Sequence, residues 1–187
     1  GFLSLQLSVK AAGGHSSTPP ARTAIGQLAT AITRLEASPF PLVLDGPTRE
    51  MMVRLRGGMS YGKRLALSNL WFFGSLVNKG MAAKPSGAAM LRTTTAVTIV
   101  RGGVKTNVLP IDATATVNLR IRPGESIASV TERVRQVIGD TGVKIEAVGF
   151  KTEPSAVSDP NGAGFKALEK SLREVYPDTN LVVTPYL

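Results

Sequence analysis

Little in this chain could do chemistry, and its only histidine comes first. His15 lies in Gly13-Gly14-His15-Ser16-Ser17, where glycines free the backbone and small neighbours let a ligand approach closely. An imidazole there could donate a hydrogen bond to an oxygen that gains charge during a reaction. Taken alone, a lone histidine in a loop is more often an ordinary loop residue. Asn107, within Gly102-Gly103-Val104-Lys105-Thr106-Asn107-Val108-Leu109-Pro110, reads on its own as a turn residue whose amide serves its own loop. Arg120 stands in an otherwise apolar alternating strand, on the face of Asn118 and opposite Leu119 and Ile121. Taken alone, it is a cation on a solvated face.

The rest of the inventory mostly excludes. A catalytic zinc ordinarily takes three protein ligands from His, Cys, Asp and Glu. The chain has one His and no Cys, and its 13 carboxylates show neither HExxH nor HxD spacing, so no metal ligand is assigned. Ser16 and Ser17 adjoin His15 but lack a nucleophile elbow or a placed carboxylate. The glycine pairs at 13–14, 57–58 and 102–103 match neither the Walker pattern nor GxGxxG. By elimination, the chain alone cannot run a metal or triad mechanism.

The elements that must position these residues follow from periodicity. Leu3, Leu5, Leu7 and Val9 alternate with Ser4, Gln6 and Ser8, which predicts a half-buried strand over Phe2–Lys10. The Gly-, Ser- and Pro-rich 13–20 is a loop. A helix is predicted from about Arg22 to Ala37, with Ile25, Leu28, Ala29, Ile32 and Leu35 as its buried stripe. Residues 39–91 read as a helical insertion, with short helices at Met51–Leu55 and Leu65–Val77 and a turn at Lys84–Gly87. Strands are expected at Thr93–Arg101, Ala113–Arg122 and Val143–Val148. Between the last two, Ser126 caps a helix to Ile138, closed by Gly139. Beyond a polar linker at 151–161, Asp159-Pro160 reads as a helix start, and Leu181–Thr184 as a short strand.

This order predicts an α/β (α+β) two-layer sandwich: a four-stranded, mainly antiparallel sheet with two helices on one face. The expected organisation is one domain over 1–150, the linker, and a fragment of a second domain over 162–187. Hydrophobic residues make up 43% and charged residues 19% of the 187, as in an ordinary folded domain. No apolar run reaches the ~18 residues of a membrane span. Phe2–Val9 alternates where a signal peptide would be solidly apolar. The opening at Gly1, without Met, suggests an excised piece. The net charge of +9 comes from 22 basic against 13 acidic residues. The cations are scattered, with a mild cluster at Arg49, Arg54, Arg56, Lys63 and Arg64, so no nucleic-acid partner is expected.

Three segments in order carry a resemblance: GGHSSTPP with the IGQLATAITRLE helix, RTTTAVTIVRGGVKTNVLP, and ATVNLRIRPGES. Together they resemble the lid, or dimerisation, domain of zinc metallopeptidases of the aminoacylase, glutamate carboxypeptidase and carboxypeptidase S group. The similarity is greatest to the carboxypeptidase S-like and N-acyl amino acid hydrolase branch, and it extends over essentially the whole chain. The resemblance implies that the parent hydrolyses peptide or N-acyl amino acid amide bonds and forms a homodimer through the lid. It implies that His15 stabilises the oxyanion in the partner's active site, that Asn107 helps hold the substrate, and that Arg120 pairs with a substrate carboxylate. It further implies that the zinc ligands and the general base belong to a catalytic domain outside these residues. The tail from Gly164 would lead back into that domain. On that view these residues alone bind no zinc and are inactive.

Two other functions fit the element order. An RNA-recognition sheet would suit the charge, but its third strand needs stacking aromatics and Ala113–Arg122 has none. A non-catalytic interaction domain with His15 as a bystander also fits.

Overall fold

The structure is a computed structural model that describes residues 1–178 and 180–186. In chain order the elements are β1 (Phe2–Lys10), β2 (Gly14–His15), α1 (Ala24–Ala37), α2 (Gly46–Leu55), α3 (Tyr61–Ser68), α4 (Leu70–Ala82), α5 (Pro85–Leu91), β3 (Thr94–Gly102), β4 (Val108–Leu109), β5 (Asp112–Arg120), α6 (Ile127–Ile138), β6 (Val143–Ala147) and α7 (Ala163–Val175). They fall into two compact units. One comprises Gly1–Phe40 with Thr93–Ser155, the other Pro41–Arg92 with Ala156–Leu187.

The first unit is the expected sandwich. Its antiparallel sheet runs in the order β3-β5-β1-β6. Alternation sets the register, so that Leu3 faces Leu119, Leu5 faces Val117, Leu7 faces Ala115 and Val9 faces Ala113, all of them buried. A slip of one residue would turn this whole row to water. Helix α6 supplies Val130, Val134 and Ile138 to the same core. It begins with a capping box at Ser126 and ends on Gly139, whose φ of 56° suits a residue without Cβ.

Helix α1 begins at Ala24, two residues later than expected, because Thr23 caps it by accepting from the Gly26 amide at 3.1 Å. Its buried stripe is also rotated by one position. Ala24, Leu28, Ala31 and Leu35 are buried, while Ile25 and Ala29 are exposed. Small residues let the helix lie close to the sheet. Ile25 reaches sideways over Gly102, where an added Cβ would meet its side chain at 3.2 Å.

In the second unit, α2 through α5 replace the two helices expected between 39 and 91. Lys84–Gly87, expected as a turn, caps and begins α5 with Pro85 in its first turn. Thr48 donates to the Met90 carbonyl at 3.1 Å, and the Val43 amide donates to Leu91 at 2.9 Å. Helix α7 starts at Ala163; Asp159, expected as its cap, instead accepts from the Asn161 amide at 2.8 Å in a turn of its own. Leu181–Thr184, expected as a strand, has no regular structure. Helix α7 buries no residue fully. It is held to α2 through Arg54, which pairs with Glu50 at 2.7 Å and Glu169 at 3.7 Å and lies over the Phe165 ring at 4.9 Å.

Candidate functional site

Past the end of the β1–β5 ladder the two strands continue toward each other. The Ala11 amide donates to Ile111 at 2.9 Å, after which β2 and β4 pair as Gly14 with Leu109 and His15 with Val108. This short ribbon was not visible in the sequence, because two residues per strand carry no periodicity. It brings two candidate residues together: the Ser16 amide donates to the Asn107 carbonyl at 3.1 Å. Gly13 makes the approach possible, since a Cβ there would come within 2.6 Å of Ile111 Cγ2.

His15 is exposed, and its ring is held from one side. The Ser17 amide lies 3.2 Å from Nδ1, and the Ser17 hydroxyl 2.8 Å from the same atom. A backbone N–H can only donate, so Nδ1 accepts, and the neutral ring carries its proton on Nε2. The ribbon thus presents an outward N–H donor beside Asn107. In the sequence Ser17 reads only as a candidate nucleophile; its position two residues after His15 is the available signal for this role.

Arg120 is elsewhere. It closes β5, whose other end, Asp112, pairs with Lys10 next to the ribbon. Eight strand steps put Arg120 roughly 25 Å from that end. Its guanidinium lies over the Phe2 ring, 4.7 Å from the centroid, within the range of cation–π attraction. No carboxylate pairs with it among the described residues. An open groove of about 360 Å³ runs beside the ribbon along Gly102–Val104 and Val108–Asp112, but neither His15 nor Arg120 lines it.

The residues present do not fit a zinc site. Among those described, no three His, Cys, Asp or Glu side chains come together in a way that could hold a metal ion. Among the described residues, no helix is long and apolar enough to cross a membrane.

Comparison with known proteins gives the family and the fold. Residues 1–146 match the family described as the peptidase dimerisation domain. The chain is 37% identical over 185 residues to the N-fatty-acyl-amino acid synthase/hydrolase PM20D1 of Mus musculus, covering 98% of this chain and 37% of that protein. It is 38% identical over 185 residues to the probable carboxypeptidase S-like 2 of Dictyostelium discoideum, covering 99% of this chain and 35% of that protein. The chain therefore spans little more than a third of the length of these relatives. Among solved structures, a M20 family metallo-carboxypeptidase, Sso-CP2 from Sulfolobus solfataricus, shares the fold with a TM-score of 0.59 at 18% identity, over 98% of this chain and 51% of that one. With the match covering most of its length, this chain belongs to the peptidase dimerisation domain family of the metallopeptidases and amidohydrolases.

Proposed function

We propose that this chain is the lid and dimerisation part of a longer zinc-dependent hydrolase, acting on peptide or N-acyl amino acid amide bonds. The relatives' names, an N-fatty-acyl-amino acid hydrolase and a carboxypeptidase S-like protein, favour an amide beside a free amino-acid carboxylate. In this reading the zinc ligands and the base that activates water lie outside these residues. The chain by itself is then inactive and holds no zinc.

The observation that carries the proposal is the placement of His15 and Asn107 on one ribbon, with Arg120 at the far end of β5. When water adds to the amide, its carbonyl oxygen gains charge, and the Nε2–H of His15 is a ready donor to it. Arg120 offers a planar fork for the substrate carboxylate. In one substrate those two groups are only a few bonds apart. Donors separated by roughly 25 Å along a strand cannot both serve it from the same chain. A homodimer resolves this, with His15 and Asn107 of one protomer completing the site that holds Arg120 of its partner. Strand β3 lies at one edge of the sheet, with no further strand beyond it among the described residues, a ready surface for pairing.

Kinetics of the full-length protein test these roles. His15→Ala should lower kcat by about 10²–10³, the range for one oxyanion donor. Arg120→Ala should mainly raise KM, because its contact exists before and during the reaction. Asn107→Ala should fall between them. An unchanged kcat in His15→Ala would reject the catalytic role.

A further inference from the structure

The insertion helix α4 has an apolar surface with no cover. A helix that is apolar all round belongs in a core or a bilayer, yet α4 contains no buried residue. Leu70, Phe73, Val77 and Met81 are half-buried. On the other side, Trp71, Phe72 and Leu76 are 85%, 67% and 65% exposed. At 100° per residue these three share roughly half the circumference with Ser75 and Lys79. The Trp71 and Phe72 rings stack edge to face, 5.6 Å between centroids. Helix α3, packed against α4, adds Tyr61 at 80% exposure.

Charge decides what such a face would meet. Every charged side chain from Met51 to Arg92 is Lys or Arg. Lys63, Arg64, Lys79 and Lys84 are all exposed beside or on these helices. A second copy of the same face would bring like charges together, which opposes association. Exposed aromatics beside Lys63, Arg64, Lys79 and Lys84, for which no ion pair occurs among the described residues, are instead the composition of a helix that lies in a headgroup layer. We propose that the α3–α4 face docks on an anionic lipid surface. Trp71, Phe72 and Leu76 enter the boundary with the acyl chains, and Lys63, Arg64 and Lys79 meet the headgroups. At 13 residues, α4 is about 20 Å long, so it lies along the surface and does not cross. The proposal rests on the insertion alone and is independent of the hydrolase reading.

Trp71 is the only tryptophan of the chain, so its emission reports on this face directly. The 187-residue chain is mixed with vesicles of phosphatidylcholine alone, or of phosphatidylcholine with phosphatidylserine, and followed by flotation and fluorescence. Binding to the acidic vesicles with a blue shift, weakened by salt and weak on neutral vesicles, is expected. The double variant W71S/F72S should bind about tenfold or more weakly. K63E/K79E, which leaves the rings in place, should lose about twentyfold or more, at roughly fivefold per cation. The full-length protein should float as well. The proposal is overturned if the acidic vesicles capture nothing, or if both variants bind as the parent does. It is also overturned if the full-length protein stays in solution, because the face is then covered by the rest of that protein or by a second copy.

Discussion

Ser17 turns both its amide and its hydroxyl onto Nδ1 of His15, at 3.2 and 2.8 Å. Two donors on one nitrogen select the tautomer in which Nε2 carries the proton, and they also fix the direction of the ring. The role proposed for His15 depends on this: an imidazole with its proton on Nδ1 would present a lone pair, not a donor, to an oxyanion. Ser17 is then a positioning residue. With one histidine in the chain, the ring nitrogens can be read by ¹⁵N NMR without assignment. Ser17→Ala should raise the share of the Nδ1–H form, and Ser17→Thr should restore the original spectrum. Identical ring shifts in all three proteins would remove the Ser17 hydroxyl from the account and leave the tautomer to the backbone amide alone.

Gly13 tests the ribbon. An alanine there would put its Cβ 2.6 Å from Ile111 Cγ2 and 3.3 Å from the Leu109 carbonyl oxygen. Isoleucine is branched at Cβ and yields little, so β2 must move relative to β4, carrying His15 with it. In the full-length protein Gly13→Ala should lower kcat by about tenfold, since displacements below 1 Å cost less than the 10² of larger ones. Its melting temperature should change little, because the ribbon is exposed. A wild-type kcat would show that the placement of His15 does not depend on this close approach.

Asp140 makes the sandwich sensitive to acid. Its carboxylate accepts from Arg22 at 2.5 Å, from the Gly142 amide at 2.9 Å and from Gln27 at 3.1 Å, tying the α6–β6 turn to the start of α1. The Arg22 hydrogen bond, followed by that of Gly142, holds its pKa below the ordinary 3.8. A carboxylate with a depressed folded-state pKa stabilises the fold above its ordinary value and loses that contribution as the pH falls through the folded value. Denaturant melts from neutral pH to below 3.8 should therefore show a steeper loss of stability for the native chain than for Asp140→Asn in the acid part of the range. Parallel curves would contradict the assignment.

The sandwich was legible because its core residues recur at fixed periods. Leu3 to Val9 and Ala113 to Leu119 alternate without exception, and Ser126 and Gly139 bracket α6 at the positions that helix chemistry requires. Ile25 misled because a hydrophobicity pattern rewards large side chains, whereas tight helix–sheet packing buried Ala24 and Ala31 instead. Asp159-Pro160 has the composition of a helix start, but the Asp159 side chain closes a local turn, a competition short polar side chains often win. Alternation alone puts Arg120 on the face opposite Leu119, and in β5 Leu119 is buried while Arg120 is exposed. Its distance from His15 was not legible, since a number in a sequence says nothing of which end of a strand a loop returns to. The β2–β4 pairing supplied that fact.

The central claim is that one substrate meets His15 of one protomer and Arg120 of another. It is tested by mixing two full-length variants, His15→Ala and Arg120→Ala, at substrate concentrations well below KM, where a lowered kcat and a raised KM each greatly reduce the rate, under conditions where subunit exchange is confirmed. In a mixed dimer, delivery across the interface leaves one site with both defects and one site with both residues intact. The account predicts that activity returns on mixing, toward half the wild-type value for each mixed dimer. If both residues came from the same chain, every site would keep one defect, and activity that stays at the level of the separate variants would contradict the claim.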